Sequence, residues 1–324
     1  MYDVITIGSA TLDVFIRCPE LERREIDGFP RLLLPHGTKI EIDEAVFESG
    51  GGATNTATTF ARMGLKVATI AKVAEDFAGE KVLRRLQNEG IDGRYMVKAK
   101  YDTTDFSTIL WTHGVGHVIF VCRGKGRLEV DEIPWKNLRT KWYFISSVEG
   151  NINMITKLGR IRTLKTDSEP FFAWNPGKRE LSQKEALMSL MPSIDVFIIN
   201  RKEAADLVGE PFDHIDQILS KTASLTARKK LITDGHNGAY YYDGTRWYFS
   251  EAFPANYVEA TGAGDAFGSG FVLGLVKNMT PEQCFKLAAA NAASVVEHPG
   301  AKRGILKQSD VDRWMSKELT IKKL

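Results

Sequence analysis

Little in this 324-residue chain points to a disulfide framework, a membrane or a polyanion. It has only three cysteines, Cys18, Cys122 and Cys284. Their number is odd, their spacing is wide and there is no Cys-x-x-Cys pair, which argues against a zinc knot or a disulfide scaffold and for a reducing compartment. No stretch approaches the ~18 apolar residues of a membrane-spanning helix. The opening residues, MYDVITIGSATLDVFI, lack the basic and long apolar segments of a secretion signal. A cytoplasmic protein with no membrane partner is therefore expected. The 43 basic residues are nearly balanced by 41 acidic ones, for a formal charge of +2, so no nucleic-acid partner is expected either. There is no internal repeat and no low-complexity tract. Gly8-Ser9-Ala10-Thr11, after the first apolar run, does not supply the GxGxxG of a dinucleotide-dependent dehydrogenase.

What the chain does have is ample apolar content, 43% of its residues, enough for a large core. Short apolar runs at 4–7, 67–72, 142–146, 171–174, 195–199 and 230–233 read as strands. Helical stretches at 53–63, 77–88, 151–164, 180–190, 201–208, 215–227, 265–277 and 281–297 alternate with them, and a last helix follows Ser309. That rhythm predicts an α/β fold: a doubly wound, mostly parallel sheet flanked by helices. Asp243-Gly244 predicts a hairpin turn between 239–242 and 246–249. Two β-rich interruptions, about 13–46 and 92–130, break the rhythm, the second holding a hairpin of 106–111 with 117–122. They are expected to combine into a small β-sheet lid on a single domain spanning 1–324.

Five segments carry residues suited to chemistry. Ala260-Thr261-Gly262-Ala263-Gly264-Asp265 precedes an apolar helix. Its glycines allow a tight turn that presents backbone N–H groups at a helix N-terminus, where an anion is favoured. Asp265 there either takes the proton of an attacking hydroxyl or simply caps the helix. Gly50-Gly51-Gly52-Ala53-Thr54-Asn55 allows close backbone approach to a ligand, and Asn55 offers donors and an acceptor for vicinal hydroxyls. Asn200 and Glu203 follow a strand, where α/β proteins place ligands. They suit hydrated magnesium and phosphate oxygens, or a capping box, and the two roles can coexist. Thr233-Asp234-Gly235-His236-Asn237-Gly238 is a nucleotide phosphate loop or an ordinary β-turn. Asp13 could bind sugar hydroxyls, or be a solvated loop acid.

Taken in chain order, these segments resemble the ribokinase-like (PfkB) carbohydrate and nucleoside kinase family, from Val4 to about Gly304. Gly50-Gly51-x-Ala53-x-Asn55 resembles the family's N-terminal glycine signature, and Thr261-Gly262-Ala263-Gly264-Asp265 its C-terminal one. The resemblance implies an ATP-dependent phosphotransferase acting on an alcohol group of a sugar or sugar derivative. Asp265 is then the catalytic base, and Gly262, Ala263 and Gly264 form the anion hole. Asp13, Gly51 and Asn55 contact the substrate. Asn200, Thr233, Gly235, Gly238 and Asn291 belong to the nucleotide site, and Glu203 to the magnesium site. ATP and Mg2+ are the implied cofactors, and a homodimer through the lid is a plausible assembly. The chain departs from the family at Glu259, where an Asp is usual, and at Gly304, so monovalent-cation activation is not expected. Gly52 stands where ribokinases carry a lysine, which argues against ribose.

A nucleoside kinase of the same family is the main alternative, with Phe15, Phe106, Trp111 and Phe120 as stacking candidates on the lid. A non-catalytic sugar or nucleotide sensor is a second, disfavoured by the intact Gly-Ala-Gly-Asp loop. His113 and His117 fit a solvated hairpin tip. Arg123 could meet an anionic substrate, although a solvated arginine is the commoner case.

Overall fold

In the computed structural model, residues 1–112, 116–163 and 169–324 are described. A nine-stranded sheet runs in the order Ile321–Lys323, Trp247–Ser250, Ala239–Tyr242, Lys229–Thr233, Val196–Asn200, Phe171–Trp174, Thr140–Ile145, Tyr2–Ile7, Val67–Ile70. The six strands from Lys229–Thr233 to Val67–Ile70 pair in parallel, and the other three pair antiparallel at one edge. The alternation of side chains along each strand divides the core into two layers. Val4, Phe144, Ile198 and Leu231 pack with Phe60, Phe271 and Phe285 on one face. Ile5, Ile7, Tyr143, Ile145, Phe197 and Ile199 pack with Met154, Leu207 and Ile218 on the other. Each such buried side chain contributes roughly 1.5–3 kcal/mol over its exposed state.

The helix Ala263–Val276 contains Gly268, Gly270 and Gly274, residues that weaken an isolated helix. Packing explains two of them. A Cβ on Gly270 would come 3.0 Å from the Ala288 Cα, and one on Gly274 would come 2.6 Å from the Cys284 Sγ. The neighbouring helix Pro281–Val296 therefore lies close against it. Thr280 caps that helix, accepting from the Gln283 N–H.

The stretch expected as one helix over 180–190 is two, Lys178–Leu181 and Lys184–Leu190. Glu180 turns inward, fully buried, and accepts from the backbone N–H groups of Val148, Gly150 and Gly177. Ile321–Lys323, a strand no sequence pattern marked, pairs with Trp247–Ser250. Three residues are too few to show a period, and only the exposed edge beside them defines the strand.

A second sheet is separate from the first. Its order is Gly116–Cys122, Asp105–Thr112, Thr11–Arg17, Glu44–Gly50, so it joins strands from both β-rich interruptions. The expected hairpin is present, with Phe120 opposite Thr108 and Cys122 opposite Phe106. His113 and Leu164 lie outside the described residues. No helix among the described residues is long and apolar enough to cross a membrane.

Candidate active site

The turn before Ala263–Val276 is held from within. Glu259 Oε1 accepts from the Thr261 N–H at 2.7 Å and the Thr261 hydroxyl at 2.6 Å. Gly262 sits at φ 81°, and a Cβ there would come 2.5 Å from the Ala301 Cβ, so both the backbone and the packing require glycine. The Ala263 N–H donates to Ala260 O at 3.0 Å. The expectation that Ala263 supplies an anion-hole amide is corrected: the tight turn consumes that donor. The N–H groups of Gly264 and Asp265 have no protein acceptor among the described residues, as the first turn of a helix dictates. Unlike Gly262, Gly264 has open space where a Cβ would be.

Asp265 lies between this turn and the start of the helix Gly52–Arg62. Its Oδ2 accepts from Asn55 Nδ2 at 2.8 Å. Its Oδ1 lies 3.6 Å from where a Gly52 Cβ would stand. Burial raises the Asp265 carboxyl above its ordinary value, opposed by the Asn55 hydrogen bond and the charge of Lys302. Asn55 is thus turned differently from expectation. Its amide binds Asp265 at one end and the Lys302 Nζ, 2.7 Å from Oδ1, at the other. Protein groups engage both ends, leaving one N–H for a ligand.

Gly51 caps the helix Gly52–Arg62 at φ 89°, and a Cβ there would come 2.5 Å from Ser9 O. The turn therefore crosses directly over the loop after the first strand, and Ser9 Oγ accepts from the Gly52 N–H at 3.2 Å. Asp13 is buried on the small sheet. Its Oδ1 accepts from the Ser107 hydroxyl at 2.5 Å and the Thr11 hydroxyl at 3.1 Å. Its Oδ2 lies over Gly50, 1.7 Å from where a Cβ would be. Burial raises this carboxyl too, against Ser107, Lys302 and Thr11. The sequence option of a solvated acid does not hold.

On the far side of the Gly262 turn is a cavity of about 720 Å³. Thr233, Gly235 and Gly238 form one wall, and Ala263, Gly264 and Phe267 another. Phe253, Pro254, Tyr257 and alanines of the helix Pro281–Val296 close the apolar remainder, giving an apolar pocket with few polar groups, the usual character of a ligand site. Asn291 does not line it. Fully buried, Asn291 donates to Thr59 Oγ1 and Ala266 O and accepts from the Leu306 N–H. It ties three segments together, and the expected nucleotide contact is corrected. The next residues, Ala292 and Ala293, face the cavity instead.

The sequence matches the pfkB family carbohydrate kinase pattern over residues 1–308. The chain belongs to the pfkB family of carbohydrate kinases. Similar curated proteins include the ATP-dependent 6-phosphofructokinase of Thermoanaerobacterium thermosaccharolyticum, 25% identical over 96% of this chain and 92% of that protein. The ribokinase of Bacillus subtilis is 24% identical over 98% of this chain and 100% of its own length. Among solved structures, Arabidopsis thaliana ribokinase complexed with ribose and ATP superposes with a TM-score of 0.79 at 20% identity, covering 98% of this chain and 99% of that one. The fold is that of the ribokinase-like kinases, and the protein is a phosphotransferase of the carbohydrate kinase class; its family implies use of ATP.

Other parts of this pfkB kinase depart from expectation. Asn200 and Glu203 form a capping box: Asn200 Oδ1 accepts from the Glu203 N–H at 2.8 Å, and Glu203 Oε2 from the Asn200 N–H at 2.9 Å. They line a different cavity, of about 630 Å³, with Lys178 and Lys202. Glu203 Oε1 has no hydrogen bond within the box, and burial raises the carboxyl; that oxygen can accept from the water shell of a magnesium ion. Glu259 Oε2 is buried without a hydrogen-bond partner among the described residues. Those residues contain no cluster of three or more His, Cys, Asp or Glu side chains that could hold a metal.

The stacking candidates are occupied or turned away. Phe15 and Trp111 are buried together with Val46 and Ile109. Phe106 and Phe120 lie, by strand register, on the sheet face opposite Asp13 and Ser107. Arg123 is drawn to Asp105 at 3.2 Å and Glu149 at 3.5 Å. Sequence reasoning missed Ser107 and Lys302. Ser107 is an ordinary strand serine until the register sets it opposite Asp13. Lys302, in Ala301-Lys302-Arg303, reads as a solvated charge, yet it is wholly buried.

Proposed function

We propose that this kinase transfers the γ-phosphoryl group of ATP to a hydroxyl of a neutral sugar or sugar derivative, with Asp265 as general base. One observation carries the reading: Asp265 stands between the Gly51 turn and the Gly264 wall of the large cavity. That position supports a role in which its carboxylate would meet both a substrate alcohol and a nucleotide phosphate. ATP would lie in the 720 Å³ cavity, its phosphates passing Thr233, Gly235 and Gly238 toward the free N–H groups of Gly264 and Asp265. Those donors at a helix N-terminus stabilise charge on the transferred group. Asp13 and the Gly51 turn would hold the sugar, and the small sheet would act as a lid that excludes water and favours transfer over hydrolysis. Asn200 pairs with Thr233 of the ATP cavity in the sheet, so Glu203 Oε1 beside it would help to hold a hydrated magnesium ion, whose charge would offset that of the phosphates.

A neutral substrate is favoured because Arg123 faces Asp105 and Glu149. Those carboxylates already balance the cation that a sugar phosphate would need. The packed aromatics give no support to base stacking, so a nucleoside is the weaker alternative. A coupled ATP assay over neutral pentoses and hexoses, sugar acids, sugar phosphates and nucleosides tests the class; turnover confined to sugar phosphates or nucleosides would overturn it.

Two further outcomes are expected. Asp13→Asn replaces an acceptor-only carboxylate with an amide that accepts less well from hydroxyls. The KM for the sugar should rise about 10- to 100-fold, as expected for one hydrogen bond to a charged group, with the KM for ATP little changed. Equal effects on both substrates would move Asp13 out of the sugar site. The second outcome concerns pH. A base must be ionised to accept a proton, and burial holds the Asp265 carboxyl above its usual range. Activity should therefore fall on acidification with an inflection above that of an ordinary aspartate. A profile flat through the carboxylate range would contradict this.

A further inference from the structure

Lys302 places a buried ammonium directly behind the Asn55–Asp265 pair. The side chain is fully buried. Its Nζ donates to Thr54 Oγ1 at 2.8 Å, to Asn55 Oδ1 at 2.7 Å and to Ser49 O. An ammonium has three N–H donors and no acceptor, so this geometry uses all three. The Thr54 hydroxyl gives its own hydrogen to Gly50 O at 2.6 Å, which leaves its oxygen to accept from Lys302. Burial pushes the Lys302 ammonium down to about 7, while Asp13, Glu48 and Asp265 pull it back up. The three acceptors fit the charged form.

The consequence reaches Asp265. An asparagine amide can turn either end toward a neighbour, but only its oxygen can accept from an ammonium. Lys302 therefore fixes Asn55 with its oxygen inward and its NH2 group outward, on Asp265 Oδ2 at 2.8 Å. The reverse orientation would set an amide oxygen against a carboxylate. The lysine is itself held. Arg62 Nη1 donates to the backbone oxygens of Lys302 at 2.9 Å and Ile305 at 2.7 Å, and Arg62 is paired with Glu89. The preceding residue, Ala301, packs against Gly262. One loop thus braces the anion turn and delivers the ammonium.

We propose that Lys302 is a positioning residue for phosphoryl transfer, fixing the Asp265 carboxylate through the Asn55 amide. This rests on the reading of Asp265 as general base. The charge of Lys302 has a second effect, since it favours the ionised carboxylate. Asp265 is faced by Asn55 and by this cation, and Lys302 in turn by Asp13, Glu48 and, repulsively, Arg85.

The test compares Lys302→Met, Lys302→Gln, Asn55→Ala and the Lys302→Met/Asn55→Ala double variant in kcat, KM for each substrate, pH profile and thermal unfolding. Lys302→Met should lower kcat about 10- to 100-fold, the range for one charge-assisted hydrogen bond, with the KM for ATP nearly unchanged. Its acid limb should move to higher pH, because Asp265 loses a cation that lowers its pKa. Lys302→Gln keeps an N–H donor for Asn55 without the charge. It should recover part of kcat, show the same displaced acid limb, and give an interpretable result if the methionine variant does not fold. The double variant should be hardly worse in kcat than Asn55→Ala alone, because the lysine acts through that amide. Unchanged kcat and acid limb in folded Lys302 variants, or fully additive losses in the double variant, would overturn the proposal. If Asp265→Asn retains turnover, the base reading itself fails; if that variant is dead and the Lys302 variants are normal, only this inference fails.

Discussion

Asp265→Asn should reduce kcat by at least ~100-fold, the scale of a lost general base, while ATP still binds. The substitution keeps the shape of the side chain and an oxygen to accept from Asn55 Nδ2. It removes the basic oxygen that faces the Gly51 turn. Because the carboxyl is held above its usual pKa by burial, replacing it with a neutral group should not destabilise the fold. The cavity proposed for ATP is lined by Gly264 and Ala263 rather than by the Asp265 side chain, so the KM for ATP should stay within a few-fold. Turnover, ATP binding and thermal unfolding measured on one preparation check all three statements. Near-normal turnover would remove Asp265 from the chemistry.

Gly262→Ala and Gly264→Ala should behave in opposite ways although only Ala263 lies between them. At Gly262 the new Cβ meets Ala301, and the backbone is left-handed at φ 81°. The conformational cost is about 1–2 kcal/mol and the overpacking adds about 1–3 kcal/mol. The variant should melt at a clearly lower temperature and lose most of its activity, since the same turn orients the helix that carries Asp265. At Gly264 a Cβ meets nothing within 4 Å, and alanine favours the helix over glycine. That variant should melt no lower than the wild type. Its methyl group would enter the space proposed for the phosphates, so the loss should appear in kcat and in the KM for ATP. An active Gly264→Ala enzyme with an unchanged KM would place the phosphates elsewhere. Calorimetry and steady-state kinetics on the pair separate a glycine needed by the fold from one needed by the ligand.

Much of the architecture was legible because it is encoded locally. The apolar runs after which Gly8, Asn200 and Thr233 stand are buried parallel strands, and the small-residue segments after Gly51 and Gly262 are helices. The Asn200–Glu203 capping box also follows from residue spacing alone. The side proposed for the sugar was less legible. Asp13 and Ser107 are 94 residues apart and meet only through parallel register. Phe106 and Phe120 were plausible stacking residues until the alternation of that sheet turned them to the opposite face.

The sequence by itself determined the alternation of strands and helices, the two glycine turns and the family, because glycine spacing, capping residues and apolar period are local properties of the chain. Only the tertiary structure decided what the polar side chains do. It enclosed Lys302 behind Asn55, bound Asn291 into the core instead of the large cavity, and engaged the Ala263 N–H within its own turn. The physical reason is that a buried polar group must find partners wherever the fold places them, and those partners lie up to 253 residues away in the chain.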